Sequence, residues 1–193
     1  MAHESGAGQA IEALERADVD AGARAARDRD QPHVKAAGAL GKLGDQEPLY
    51  AISAALFFAG LVARRRDLTR AGLHIGLGVA FADLAKSALK ASVARTRPKE
   101  LIDRGHYEVS AGGSDAKREQ SFPSGHMACT TAAALGLARV WPASLPLGLL
   151  ASGGLGWSRV AKGVHWPLDV AVGALIGAAA TAAARLVLGR ADG

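Results

Sequence analysis

Residues 157–170 read WSRVAKGVHWPLDV and stand between LPLGLLASGGLGW (145–157) and VAVGALIGAAATAAARLVLG (170–189), two stretches made almost wholly of small and aliphatic residues. A short polar insert between long apolar runs is the signature of a connection at the ends of two helices that are apolar all round. Proline is favoured in the first helical turn, so Pro167 marks the start of the second helix. His165 then stands at the helix mouth, with Asp169 about one turn further in on the same side. A carboxylate so placed can accept the N–H of one imidazole nitrogen and leave the other as an unprotonated nucleophile. Arg159 adds a fork of donors suited to phosphate oxygens. The plain alternative is a helix start, with Asp169 complementing the dipole and His165 as a cap; it accounts for Asp169 and leaves Arg159 unexplained.

Outward from this insert the same texture continues through LYAISAALFFAGLVA (49–63), AGLHIGLGVAFADLAKSALK (71–90) and MACTTAAALGLARVW (127–141). Hydrophobic residues make up 49% of the chain but aromatics only 5%, the composition of helices packed closely in lipid. The expectation is an all-α fold, a polytopic membrane helical bundle with about five spanning helices, six being possible. Several runs are shorter than the roughly 20 residues a bilayer core requires, so they recruit flanking residues or tilt. A soluble helical bundle is the alternative, disfavoured because helices apolar on every face are buried or lipid-facing.

The expected organisation is a polar, charge-rich segment over residues 1–47 and a membrane-embedded domain over 48–190. The segment carries nine Asp or Glu against six Lys or Arg, and Glu12 with Arg16 and Asp20 with Arg24 stand at the spacing of an exposed helix. With only Ile11, Leu14 and Val19 able to bury, a solvated tail is expected. It holds no short apolar run followed by a cleavage site, so a removable signal is not expected. The net charge of +5 is scattered among apolar runs rather than gathered on one face, which argues against nucleic acid as a partner. Cys129, alone, has neither a disulfide partner nor metal-ligand spacing and reads as a core residue. Gly72 with Gly76 and Gly173 with Gly177 form small-residue pairs suited to helix packing within one chain.

Charge also orients the bundle. RRRDLTR (64–70) belongs in the cytoplasm by the positive-inside rule. Alternation then places 90–126 and 158–169 together on the outer face, along with the N-terminal segment.

Two further constellations fall on that face. In the second run Asp83, Lys86 and Lys90 share one stripe, and because charge facing lipid is costly, Lys90 points inward; it is followed by Arg97 and Pro98 in KASVARTRP (90–98). SFPSGHMACTT (121–131) places Ser124 and Gly125 at a helix start, where backbone N–H groups and the helix dipole favour an anion. Gly125 lets the main chain approach closely, and His126 stands at the entrance. Read alone, Ser124 is equally an ordinary N-cap.

Together K-x6-RP (90–98), PSGH (123–126) and SR-x5-H-x3-D (158–169) resemble the tripartite signature of the type-2 phosphatidic acid phosphatase superfamily, which also contains vanadium haloperoxidases and bacterial soluble acid phosphatases. The resemblance implies a metal-independent phosphatase with no cofactor and usually six spanning helices. It implies that His165 attacks phosphorus and forms a phosphohistidine while Asp169 orients it, and that His126 protonates the leaving oxygen and later activates water. Lys90, Arg97, Ser124, Gly125 and Arg159 would hold the phosphate oxygens. The implied partner is an amphiphilic lipid phosphate or diphosphate within membrane lipid, such as phosphatidic acid, phosphatidylglycerol phosphate or a polyprenyl diphosphate. The location that follows is a bacterial inner membrane with the site on its outer face. The loop 99–120 either covers the site or merely connects. Alternatives are a vanadate-dependent peroxidase and a non-catalytic lipid-phosphate binder.

Overall fold

The computed structural model describes residues 6–191, and they are overwhelmingly helical. The order is α1 (Gly6–Ala25), α2 (Pro32–Leu40), α3 (Gln46–Val62), α4 (Arg66–Ser92), β1 (Val93–Arg95), α5 (Pro98–Arg104), β2 (Val109–Ala111), α6 (Gly125–Ala138), α7 (Leu145–Ala161) and α8 (Pro167–Ala191). The apolar runs correspond to α3, α4, α6, α7 and α8, and α4 packs against α3, α6 and α8 at the centre of the bundle.

Small residues are what allow these helices to approach. A Cβ at Gly173 would lie 2.5 Å from the Ser124 carbonyl oxygen, and one at Gly177 would lie 2.4 Å from that of Ala128. Both glycines therefore seat α8 against the backbone of α6, within the chain, as closely packed membrane helices do. The core between helices is built on Ile75, Val79, Cys129, Ala82, Ala128 and Ala132.

Among the described residues one helix, Pro167–Gly189, is long and apolar enough to cross a membrane, and Gln46–Val62 is apolar but shorter. The other expected spans fall short for identifiable reasons. α6 has only 14 residues, and α4 carries Arg66, Asp67, Arg70, Asp83, Lys86 and Lys90 along its length. Large apolar side chains nevertheless face outward on several helices, including Phe58 on α3, Leu84 on α4, Leu147 and Leu150 on α7, and Leu175 on α8, each more than 60% exposed.

The N-terminal segment departs from expectation. Instead of a solvated tail, it forms α1 and α2 and lies against the polar end of the bundle, with Asp18, Gly22 and Val34 buried. A Cβ at Gly22 would stand 2.4 Å from Cε3 of Trp166, a side chain that is itself fully buried. A glycine contact and a buried carboxylate leave no apolar stripe, so hydrophobic periodicity does not register this docking.

A small ribbon completes the same end. β1 pairs antiparallel with β2, Val93 opposite Ala111 and Arg95 opposite Val109. The loop 99–120 is thereby tied back to the end of α4, and its last residues reach the cavity described next.

Candidate active site

Because α4, α6, α7 and α8 alternate in direction, the end of α4, the start of α6, the end of α7 and the start of α8 meet at one pole of the bundle. There they enclose a cavity of about 470 Å³ whose lining includes Lys86, Lys90, Arg97, Gly125, His126, Arg159 and His165. Residues far apart in sequence are brought together by helix direction alone.

His165 is 3% exposed and sits in the turn between α7 and α8. The turn closes on Arg159, whose carbonyl accepts the N–H groups of Val164 at 3.0 Å and His165 at 3.3 Å. The imidazole Nδ1 lies 2.6 Å from the Ser121 carbonyl oxygen. A carbonyl can only accept, so Nδ1 carries the hydrogen and Nε2 keeps the lone pair. This corrects the expected pairing. Asp169 Oδ2 is 3.9 Å from Nδ1, and the carbonyl of Ser121 takes the hydrogen bond assigned to it.

Asp169 acts one step further back. Fully buried, it accepts from Arg95 Nη1 at 2.7 Å and from the Trp166 N–H at 2.8 Å, and Ser121 Oγ donates to its second oxygen. Asp169 thus holds the residue that holds His165. Arg95 in turn donates to Asp18 Oδ2 at 2.7 Å, and Asp18 Oδ1 accepts the Leu168 N–H at the start of α8 at 2.7 Å. Neither Arg95 nor Asp18 was expected here. Arg95 carries a readable signal: it precedes Arg97 by two in an extended stretch before Pro98, which repeats side chains on one face. For Asp18 there is none.

The cations are arranged around His165. Lys90 Nζ donates to the Gln120 carbonyl at 2.8 Å, and Arg159 Nη2 to the Gly41 carbonyl at 2.8 Å. Among the described residues the Nε atoms of Arg97 and Arg159 are buried without a partner, although buried donors are nearly always satisfied. An oxyanion in the cavity would meet donors of this kind, which are strongest when charged. Lys86 adds a fourth cation, held by Asp83 at 2.8 Å and Gln46 at 3.1 Å.

At the start of α6, His126 Nε2 abuts the carboxylate of Asp45, a contact the sequence did not suggest. Gly125 lines the cavity, where a Cβ would press on Lys86 Cδ at 2.9 Å. Ser124, expected to offer donors to phosphate, is otherwise engaged. Its N–H donates to the Asp169 carbonyl at 3.0 Å, and its Oγ caps α6 by accepting from the Met127 N–H at 3.5 Å. The buried serine therefore holds α6 to α8 and lies behind the cavity lining.

Burial, reinforced by the Arg97 and Lys90 charges, pushes the His165 imidazole well below its ordinary range. Burial and the neighbouring Arg159 also lower the Arg97 guanidinium. For His165 the consequence has a definite sign. Its neutral form persists below the ordinary imidazole value of about 6.5, so the His165 acid limb of kcat/KM is expected below that pH. Because the unfolded chain binds the proton more readily, stability falls as pH drops through the same region. A pH profile of phosphate release beside a thermal-inactivation series checks both.

Residues 71–191 match the PAP2 superfamily. A decaprenylphosphoryl-5-phosphoribose phosphatase of Mycobacterium tuberculosis is 35% identical over 150 residues, covering 77% of this chain and 77% of that protein. A lipid A 1-phosphatase of Rhizobium etli is 31% identical over 145 residues, covering 69% of this chain and 62% of the relative. The crystal structure of Aquifex aeolicus LpxE shares the fold, with a TM-score of 0.58 at 21% identity over 86% of this chain and 92% of that one. The chain belongs to the PAP2 superfamily. Within it, the chain is a phosphatase, a phosphoric ester hydrolase.

Proposed function

We propose that this phosphatase removes phosphate from an amphiphilic lipid phosphate monoester or polyprenyl diphosphate, through a phosphohistidine on His165. The observation that carries the reading is the Ser121 carbonyl on His165 Nδ1: it fixes the tautomer with a free lone pair on Nε2, beside buried cations that keep donors without a partner among the described residues. In the first step that lone pair attacks phosphorus in line. The bond to the leaving oxygen breaks, its electron pair stays on that oxygen, and protonated His126 supplies the hydrogen. In the second step neutral His126 takes a proton from water as the water oxygen attacks phosphorus. The N–P bond breaks, its electrons return to Nε2, and phosphate leaves.

Lys90, Arg97 and Arg159 hold the equatorial oxygens through both steps, where phosphoryl transfer concentrates its charge. Gly125 shapes the rim. Asp169 serves by positioning Ser121. The scheme draws its charge stabilisation from these side chains and assigns no step to a metal.

Residues 48–190 form the membrane-embedded body in this reading, with α3, α4, α6, α7 and α8 as five spans, the shorter ones tilted or completed by flanking residues. The outward-facing leucines support it, since contiguous exposed apolar surface marks a lipid or protein contact. The Arg64–Arg66 cluster lies at the pole opposite the cavity, which by the positive-inside rule supports a site on the outer face of a bacterial inner membrane, at headgroup level. The relatives' names, a polyprenyl-linked phosphoribose phosphatase and a lipid A phosphatase, suit such a substrate.

The test is phosphate release by the purified protein in detergent against a panel of lipid monophosphates and diphosphates, with EDTA and with vanadate. Turnover is expected to withstand the chelator and to fall with vanadate, which mimics pentacoordinate phosphorus. Loss of activity in EDTA that magnesium restores would reject the scheme.

A further inference from the structure

We propose that Asp45 is the positioning residue of the acid step: it holds Nε2 of His126 and so makes Nδ1 the atom that gives and takes the proton. The proposal rests on the phosphatase reading and gives a role to a carboxylate that the scheme leaves idle. His126 has to serve twice, first as an acid and then as a base at the same place. An imidazole does this through one nitrogen only if the other keeps its hydrogen throughout, because a neutral ring carries one N–H and one lone pair.

His126 Nε2 abuts an Asp45 carboxylate oxygen, which accepts and cannot donate when ionised. The hydrogen therefore stays on Nε2 in both steps, and the exchange falls to Nδ1. In the first step the Nδ1 proton passes to the leaving oxygen and the N–H electron pair stays on Nδ1. In the second step that pair takes a proton from the attacking water. The same carboxylate supports the positive ring needed at the outset, against Lys86, Lys90, Arg97 and Arg159 in the same cavity.

Asp45 is diverted to this contact from an ordinary local use. It occupies the N-cap position of α3 with extended backbone, and its carbonyl accepts from the Leu49 N–H at 3.4 Å. Aspartate there normally accepts from N–H groups of the first turn, yet among the described residues its side chain makes no such bond. The turn before it is fitted closely. A Cβ at Gly44 would lie 2.5 Å from Leu155 Cδ2 and 2.7 Å from Thr130 Cγ2, so the chain enters α3 wedged between α7 and the face of α6 one turn beyond His126. The Gly41 carbonyl accepts from Arg159 Nη2 at 2.8 Å, and Gln46 Oε1 accepts from Lys86 Nζ at 3.1 Å. Contacts on both sides thus hold Asp45 at the imidazole. Asp45 also precedes residues 71–191, the stretch that matches the superfamily, so this partner of His126 comes from outside that match.

Dinitrophenolate departs without a proton and an alkoxide does not, so leaving-group dependence isolates the acid. The experiment measures kcat/KM of the full chain in detergent for dioleoyl phosphatidic acid, octyl phosphate and 2,4-dinitrophenyl phosphate. Asp45→Asn keeps the shape and removes the charge. It is expected to lower the value for the two alkyl esters by about tenfold to a hundredfold, part of what a positioned acid contributes, and for the dinitrophenyl ester by less than about threefold. Asp45→Glu restores the carboxylate and is expected to recover at least part of the alkyl-ester loss. An alkyl-to-aryl ratio that Asp45→Asn leaves unchanged, whether both values fall together or neither falls, overturns the proposal and leaves the phosphatase reading standing. So does a lowered ratio that Asp45→Glu fails to raise. Absence of phosphate release from all three substrates by the wild type overturns both.

Discussion

Replacing His165 with alanine is expected to lower phosphate release by about 10⁴- to 10⁶-fold, the range seen when a member of a concerted nucleophilic unit is removed. The size follows from the geometry of one ring. Its Nδ1 is committed to the Ser121 carbonyl at 2.6 Å, which leaves Nε2 as the one nitrogen with a lone pair to offer. Its burial keeps the ring neutral, so it needs no separate base to become a nucleophile. Cys129 also lines the cavity and is the rival nucleophile to test. Paired assays of His165→Ala and Cys129→Ala decide between them: a loss confined to Cys129→Ala would reassign the covalent step. An acid-labile, alkali-stable phosphoryl label on the wild type and its absence from His165→Ala would locate the intermediate directly.

How much of this site the sequence made legible depended on the background against which each residue stood. His165, His126, Lys90 and Arg159 interrupt or border apolar helices, where a polar side chain is costly and so marks a purpose. Helix direction then brought them to one cavity. Asp18 and Asp45 stand in a segment already full of charge, where one more carboxylate carries no signal. Their partners are also remote. Asp18 meets Arg95 across 77 positions, beyond any local periodicity, and α1 docks through Gly22, a residue that says nothing about burial. Asp169 was placed correctly on its helix but paired with the wrong neighbour, because spacing along α8 gives the face of a carboxylate and not which of several nearby donors reaches it. The Ser121 carbonyl that displaced it belongs to a main chain no side-chain pattern describes. The bundle shows the same division: small-residue runs announced the helices, whereas α6 at 14 residues and the charges along α4 kept them from meeting a simple length criterion.

Arg95→Met is expected to destabilise the protein by about 3–5 kcal/mol, the usual cost of removing one member of a buried ion network. The arginine lies between two carboxylates whose side chains are 2% and 0% exposed, Asp18 and Asp169, with an N···O distance of 2.7 Å to each. Methionine fills much of the volume but leaves both charges buried without their counterion. Against a total stability of about 5–15 kcal/mol this is a large share, and a thermal midpoint lower by about 10 °C or more is expected for a chain of this size. The loss is electrostatic in origin, so a second change should recover part of it. Asp18→Asn removes one of the orphaned charges yet keeps an oxygen for the Leu168 N–H. The double variant Arg95→Met/Asp18→Asn is therefore expected to be more stable than Arg95→Met alone, a non-additivity that residues in one network show and distant sites do not. Arg95→Lys should fall between, because a single ammonium cannot reproduce the guanidinium fork that spans both carboxylates. Thermal inactivation in detergent across the four proteins measures this directly. A double variant no more stable than the single would mean that packing beneath Trp166 and Tyr107, which flank Arg95 at 5.4 and 5.9 Å, outweighs the charges. In the expected case kcat falls with stability, since Asp169 without Arg95 no longer fixes Ser121 and the carbonyl that presents His165.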